Sequence, residues 1–225
     1  LPVKKVGCGN DHSCILLEDG SLMACGSNEF GQLGIGNFEG KSLFTPILLK
    51  KAKRFISVSC GGEISTFLRA NGSVYVCGRG VEKFGLSLEA EQLGNSPLIK
   101  RVPALTNISE VACQFSLFTA LDRNRNLVAL SPTGFTTYDT IGTVRNLSHG
   151  IGDHCVLSTN NGSFYGFGSN VSGQLALNSF KNNDNTPVKL SLDKLTHLQH
   201  GKEEIERYNQ EFRELVNSSI YIFSF

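Results

Sequence analysis

The stretch Asp11-His12-Ser13-Cys14, continued through Asp19-Gly20-Ser21 to Gly26-Ser27-Asn28 and Gly31-Gln32-Leu33, decides the fold because it is written twice. Its second copy runs through Asp153-His154-Cys155-Val156, Asn161-Gly162-Ser163, Gly168-Ser169-Asn170 and Gly173-Gln174-Leu175. The offset is 142 residues (Asp11 to Asp153) and never slips, and 10 of the 23 positions from Asp11 to Leu33 are identical. Gapless self-similarity on this scale marks a repeat architecture, in which one supersecondary unit buries its faces by stacking on its neighbours. A β-sandwich gives no reason for such an echo.

Weaker copies lie between the two. Val58-Ser59-Cys60-Gly61, Asn71-Gly72-Ser73 and Cys77-Gly78 repeat Val6-Gly7-Cys8-Gly9, Asp19-Gly20-Ser21 and Cys25-Gly26 at an offset of 52 (Val6 to Val58). A third copy opens at Val111-Ala112-Cys113 and keeps a hairpin-like stretch around Arg123-Asn124-Arg125-Asn126, without the landmark glycines. The units therefore span about residues 6–57, 58–110, 111–146 and 147–200, within a repeat domain of 1–200. In each, two apolar runs flank Asp-Gly or Asn-Gly, a hairpin signal that predicts a type I′ turn. Thr45-Pro46, Ser96-Pro97 and Thr186-Pro187 close each excursion with extended dipeptides. Four short strands in about 50 residues make a propeller blade, and the absence of Trp excludes tryptophan-dependent blade motifs. The fold class predicted is all-β, a β-propeller segment of about four repeat units.

Val6-Gly7-Cys8-Gly9-Asn10-Asp11-His12-Ser13-Cys14 and Gly26-Ser27-Asn28-Glu29-Phe30-Gly31-Gln32-Leu33-Gly34 together resemble the regulator of chromosome condensation repeat family. The resemblance is strong for the first and fourth units, fair for the second and poor for the third. It implies a propeller that usually has seven blades, so four units read as a partial ring and the chain as a piece of a longer protein. It also implies a protein–protein interaction module, not an enzyme, that binds through its blade-connecting loops. Two alternatives come with it: a guanine-nucleotide exchange factor for a small Ran-type GTPase, and a regulatory propeller of a larger protein such as a ubiquitin ligase or kinase. The loop residues that match the family's GTPase-facing positions are Asp11, His12, Asp153 and His154. The second unit departs there with Gly62-Glu63-Ile64, and the third with Phe115-Ser116-Leu117.

Lys plus Arg number 21 against 20 Asp plus Glu, a net charge near +1, so no global field attracts nucleic acid or an anionic membrane. No apolar run approaches the length of a membrane-spanning helix. The seven cysteines mostly occupy equivalent places in the repeat and read as small buried hydrophobes of a reducing, intracellular compartment, cytoplasmic or nuclear. Six Asn-x-Ser sequons, Asn170 among them, coincide with the Asn, Gly and Ser that tight turns demand. No cofactor is expected. A metal set of Cys8, His12, Cys14 and Cys25 is not maintained in the second unit, so no metal is expected either. A nucleophile pair of His154 and Cys155 is rejected, because strand neighbours face opposite sides. Partners are other proteins, a small GTPase among them, and function is expected where copies differ, in 38–43 and 83–95. Past Gly201 the apolar positions Ile205, Tyr208, Phe212 and Leu215 predict a helical tail over 201–225.

Overall fold

The computed structural model describes residues 1–49, 54–86, 94–114, 117–131, 134–150, 153–181, 186–190 and 210. The chain divides into Leu1–Leu190 and Ser191–Phe225. The helical tail expected over 201–225 lies outside the described residues, residue 210 excepted.

The first unit is four antiparallel sheets of four strands, each strand hydrogen-bonded to the next in sequence. The first blade holds β1 (Val3–Cys8), β2 (His12–Leu17), β3 (Leu22–Gly26) and β4 (Lys41–Pro46). The second holds β5 (Phe55–Cys60), β6 (Ile64–Arg69), β7 (Val74–Gly78) and β8 (Ser96–Arg101). The third holds β9 (Ile108–Cys113), β10 (Phe118–Asp122), β11 (Leu127–Ser131) and β12 (Gly134–Tyr138). The fourth holds β13 (Val144–Gly150), β14 (His154–Thr159), β15 (Phe164–Gly168) and β16 (Val188–Leu190). The eroded third copy is thus a full blade. Its brevity is confined to the connections.

The hairpin between second and third strands differs from the type I′ turn that Asp-Gly predicts. Gly20 N–H donates to Leu17 O at 2.9 Å and Leu17 N–H to Ser21 O at 2.9 Å. In that loop Gly20 alone takes a left-handed backbone, φ +85°. This is a three-residue loop, a type I turn closed by one left-handed residue, which follows the strand twist with a single positive φ. Asp19 Oδ1 accepts Ser21 N–H at 2.9 Å and its hydroxyl at 2.7 Å. The same loop recurs at Gly72 and Gly162. In the third blade Arg125 takes the glycine's place at φ +62°. Its backbone keeps the loop's hydrogen bonds, Arg125 N–H to Asp122 O and Asp122 N–H to Asn126 O.

The core lies between blades. Three apolar clusters fill the three seams, each drawing on two consecutive sheets. The first strands of the second and third blades pack on their predecessors, β5 on β1 and β2, and β9 on β5 and β6. Period-two alternation sends Cys14 and Leu16 of β2 into the first seam, where Phe55, Phe67 and Tyr75 meet edge to face. Val58 and Val111, at equivalent places on β5 and β9, are 1% and 4% exposed, whereas Val6 on β1 is 61% exposed. A blade face is buried only where another blade covers it.

Candidate functional site

Each blade's first and second strands are joined by a short loop carrying the acidic position: Asp11, Glu63 and Asp153 in the first, second and fourth blades. A common backbone lock holds all three. Asp11 O accepts Ser27 N–H at 2.7 Å, Glu63 O accepts Arg79 N–H at 2.9 Å, and Asp153 O accepts Ser169 N–H at 2.8 Å. The residue before each donor is Gly26, Gly78 or Gly168, at φ +105°, +109° and +96°. A Cβ there would stand 2.3 Å from the locked carbonyl oxygen in every case. Only glycine admits both the conformation and the approach.

The rest of the doubled stretch is scaffold of the same kind. Asn28, 1% exposed, accepts Leu33 N–H on Oδ1 and donates its amide to Asn37 O (2.8 Å) and Glu39 O (3.0 Å). Asn170 does the same with Leu175 N–H, Ser179 O and Lys181 O. Gln32 and Gln174 each accept a loop N–H and donate to a serine, Ser27 or Ser169. Asn170, a sequon in the sequence, is fully buried in this clamp.

Local sequence sends the acidic residues and the histidines in different directions. Asp11 is exposed. Asp153 is half-buried at φ +54°, and its Oδ1 accepts Leu117 N–H of the preceding blade at 3.3 Å. His12 is 4% exposed, and its Nε2 bonds Ser65 Oγ of the second blade at 2.9 Å. A Cβ on Gly9 would fall 2.2 Å from the His12 ring, and one on Gly150 would fall 1.8 Å from the His154 ring. Each histidine therefore fills the space its glycine vacates. His12 is thereby buried, whereas His154 is only half-buried.

Beside Glu63 lies a cavity of about 580 Å³, lined by Phe30, Glu63, Arg79, Glu82, Lys83 and Phe84 among others. Arg79 bridges to Glu63 at 2.8 Å and stands over the Phe30 ring, 4.7 Å from its centroid. A short 3-10 helix, Val81–Phe84, supplies the floor by burying Val81 and Phe84, the latter against Phe118 and Phe135. Sequence reasoning missed this cleft. Its walls come from three blades, and the available signals were the departure of the second copy from the pattern at Gly62-Glu63-Ile64 and the divergent connector 83–95, of which Lys83, Phe84 and Asn95 line the cleft. The loops beside it are tied together, with Asn10 N–H donating to Gly62 O at 3.1 Å.

A family model described as the regulator of chromosome condensation (RCC1) repeat matches residues 3–32 and 55–82, and a second of the same description matches 19–68. Residues 3–82 thus carry repeats of this family. Over 175 residues it is 29% identical to the secretion-regulating guanine nucleotide exchange factor of Mus musculus, covering 78% of this chain and 31% of that protein. Human WBSCR16 superposes with a TM-score of 0.71 at 18% identity, over 84% of this chain and 53% of that one. Prp20p of Saccharomyces cerevisiae, described with its binding properties to Gsp1p and histones, gives 0.69 at 18% identity over 84% and 50%. The chain spans under a third of the first relative and about half of each solved propeller. At these identities the structural likeness shows the RCC1-type propeller fold.

Proposed function

We propose that this chain works as a protein-interaction propeller that docks a partner on the loops joining first and second blade strands, and that the partner is a small GTPase of the Ran type. The carrying observation is the division of labour on those loops. Asp11 is solvent-facing, and Glu63 with Arg79 rims a cleft of about 580 Å³, while His12 beside Asp11 is buried. A carboxylate at a loop tip attracts cationic groups, and on a GTPase it competes for those that hold nucleotide phosphate and Mg²⁺. Exchange would follow from preferential binding of the nucleotide-free GTPase, with no bond made or broken by the propeller. The name of the mouse relative and the Gsp1p binding of Prp20p support this partner class.

Asp11 carries the contact in this reading. Asp153, with its carboxylate on the Leu117 amide, holds the seam between third and fourth blades. The test is nucleotide release from a panel of small GTPases in the presence of the intact chain. Acceleration is expected with one of them, slowed at least tenfold by Asp11→Ala. The absence of both acceleration and complex formation across the panel would overturn the partner assignment.

A further inference from the structure

Registers of the first two strands define equivalent places in the four blades. Cys8 faces Ser13, Cys60 faces Ser65, Cys113 faces Phe118 and His149 faces Cys155. By this correspondence each seam brings three positions together: the second-strand residues at 12 and 14 of one blade, and the last residue of the next blade's first strand at 60. The third seam holds Leu117, Thr119 and His149, and at this place Thr119 Oγ1 and His149 Nε2 are hydrogen-bonded at 2.6 Å. The second seam holds Ile64, Thr66 and Cys113. The first holds His12, Cys14 and Cys60, all buried, with one ligand-capable atom from each lying within 4.8 Å of the others.

Ser65 Oγ stands at the meeting point of these groups. It lies 2.9 Å from His12 Nε2, 3.5 Å from Cys14 Sγ and 3.7 Å from Cys60 Sγ, while donating to Gln32 O at 2.7 Å. In a tetrahedral site with metal–sulfur bonds of about 2.3 Å and metal–nitrogen bonds of about 2.0 Å, neighbouring ligand atoms sit roughly 3.3–3.8 Å apart. The Ser65 Oγ distances to the two sulfurs fall in that range, and the His12, Cys14 and Cys60 atoms lie within 4.8 Å of one another. A structural seam does not require this chemistry, since the third is closed by a threonine and a histidine.

The ligand chemistry is soft. Two sulfurs and an imidazole select d¹⁰ ions such as Zn²⁺ or Cu⁺ over hard cations. We infer that the first seam is a binding site for one soft d¹⁰ metal ion, held by His12, Cys14 and Cys60 with Ser65 Oγ in the fourth place. Bound there, the ion joins the first and second blades directly behind the loop that carries Asp11.

The experiment is titration of the reduced, metal-free full chain with Zn²⁺, with Cu⁺, and with Co²⁺ as a spectroscopic probe. One ion per chain is expected, with a thiolate-to-cobalt charge-transfer band and a rise in melting temperature of several degrees. Cys14→Ser and Cys60→Ser should each weaken binding at least tenfold, and Cys8→Ser, at an exposed thiol, should leave it unchanged. If the seam variants lose their fold by circular dichroism, X-ray absorption on the metal-loaded wild type decides. A shell with two sulfurs supports the site, and a shell of nitrogen and oxygen alone overturns it. Absence of the cobalt band, or its loss in Cys8→Ser, also overturns it.

Discussion

The first and third seams solve one packing problem with different chemistry. In the first, a histidine, three cysteines and a serine converge around Gln32 O, with Cys77 Sγ bonded to the same carbonyl as Ser65 Oγ. In the third, Leu117, Leu121, Leu127, Val144 and Leu157 pack beside a threonine–histidine bond. Both seams bury an apolar cluster, so the polar set of the first exceeds what stacking demands. The contrast separates what the repeat must keep, its glycine locks and loop clamps, from what each copy can vary.

The largest effect should come from breaking what both seams share. Gly26→Ala or Gly168→Ala places a methyl 2.3 Å from a backbone oxygen at positive φ, with an expected loss of about 3 kcal/mol or more in denaturant unfolding. Gly162→Ala, at φ +80° with open space around it, should cost only about 1–2 kcal/mol. Equal losses at Gly162 and Gly168 would show that the close approach is not what the landmark glycine secures.

Ser65→Ala tests the first seam alone. It removes the hydroxyl bonded to His12 Nε2 and to Gln32 O, with an expected loss of about 1–3 kcal/mol. A neutral result would mean that the thiols close the seam without the hydroxyl.

The third seam should be sensitive to acid. Burial, with His154 adding to it, pushes His149 down to about 4 from an unfolded value near 6.5. A depressed histidine leaves the unfolded state holding more protons between those values, so stability is intact above pH 6.5 and falls as pH drops toward 4. The slope is up to about 1.4 kcal/mol per pH unit. Melting curves of His149→Gln should be flatter across that window, and an unchanged slope would contradict the assignment.

The smallest effect is expected at the third blade's turn. Arg125→Gly relieves a left-handed residue but loses the guanidinium bonds to Val144 O and Arg145 O that reach the fourth blade. The two roughly cancel, to within about 1 kcal/mol. Arg125→Ala keeps the strain and loses the bonds, so it should be the more destabilising of the two by thermal melting.

The blade was legible in the sequence because its determinants are local. A glycine that must sit against the carbonyl 15 residues back (Gly26 against Asp11) leaves the same mark in the first, second and fourth copies, and Asn28 and Gln32 leave theirs in the first and fourth. The third blade was harder to read. It lacks those marks and is held by the ring cluster of Phe84, Phe118 and Phe135, together with Arg125, contacts that cross between blades. The first seam was illegible for the same reason. His12 meets Ser65 across 53 residues, and the set His12, Cys14 and Cys60 never forms a spaced motif in the chain. The pairing of Asp11 and Asp153 as equals was the natural reading of two identical dipeptides. Their surroundings differ because Asp153 has the Leu117 amide within reach.

That last difference gives the most direct test of the account, in which scaffold is what the copies share and partner contact is what distinguishes them. Asp11→Ala and Asp153→Ala should be measured side by side for GTPase binding and for melting temperature. The account predicts that Asp11→Ala loses at least tenfold in binding with its melting temperature unchanged, and that Asp153→Ala lowers the melting temperature. An Asp11→Ala variant that melts lower while binding as well as wild type would contradict it.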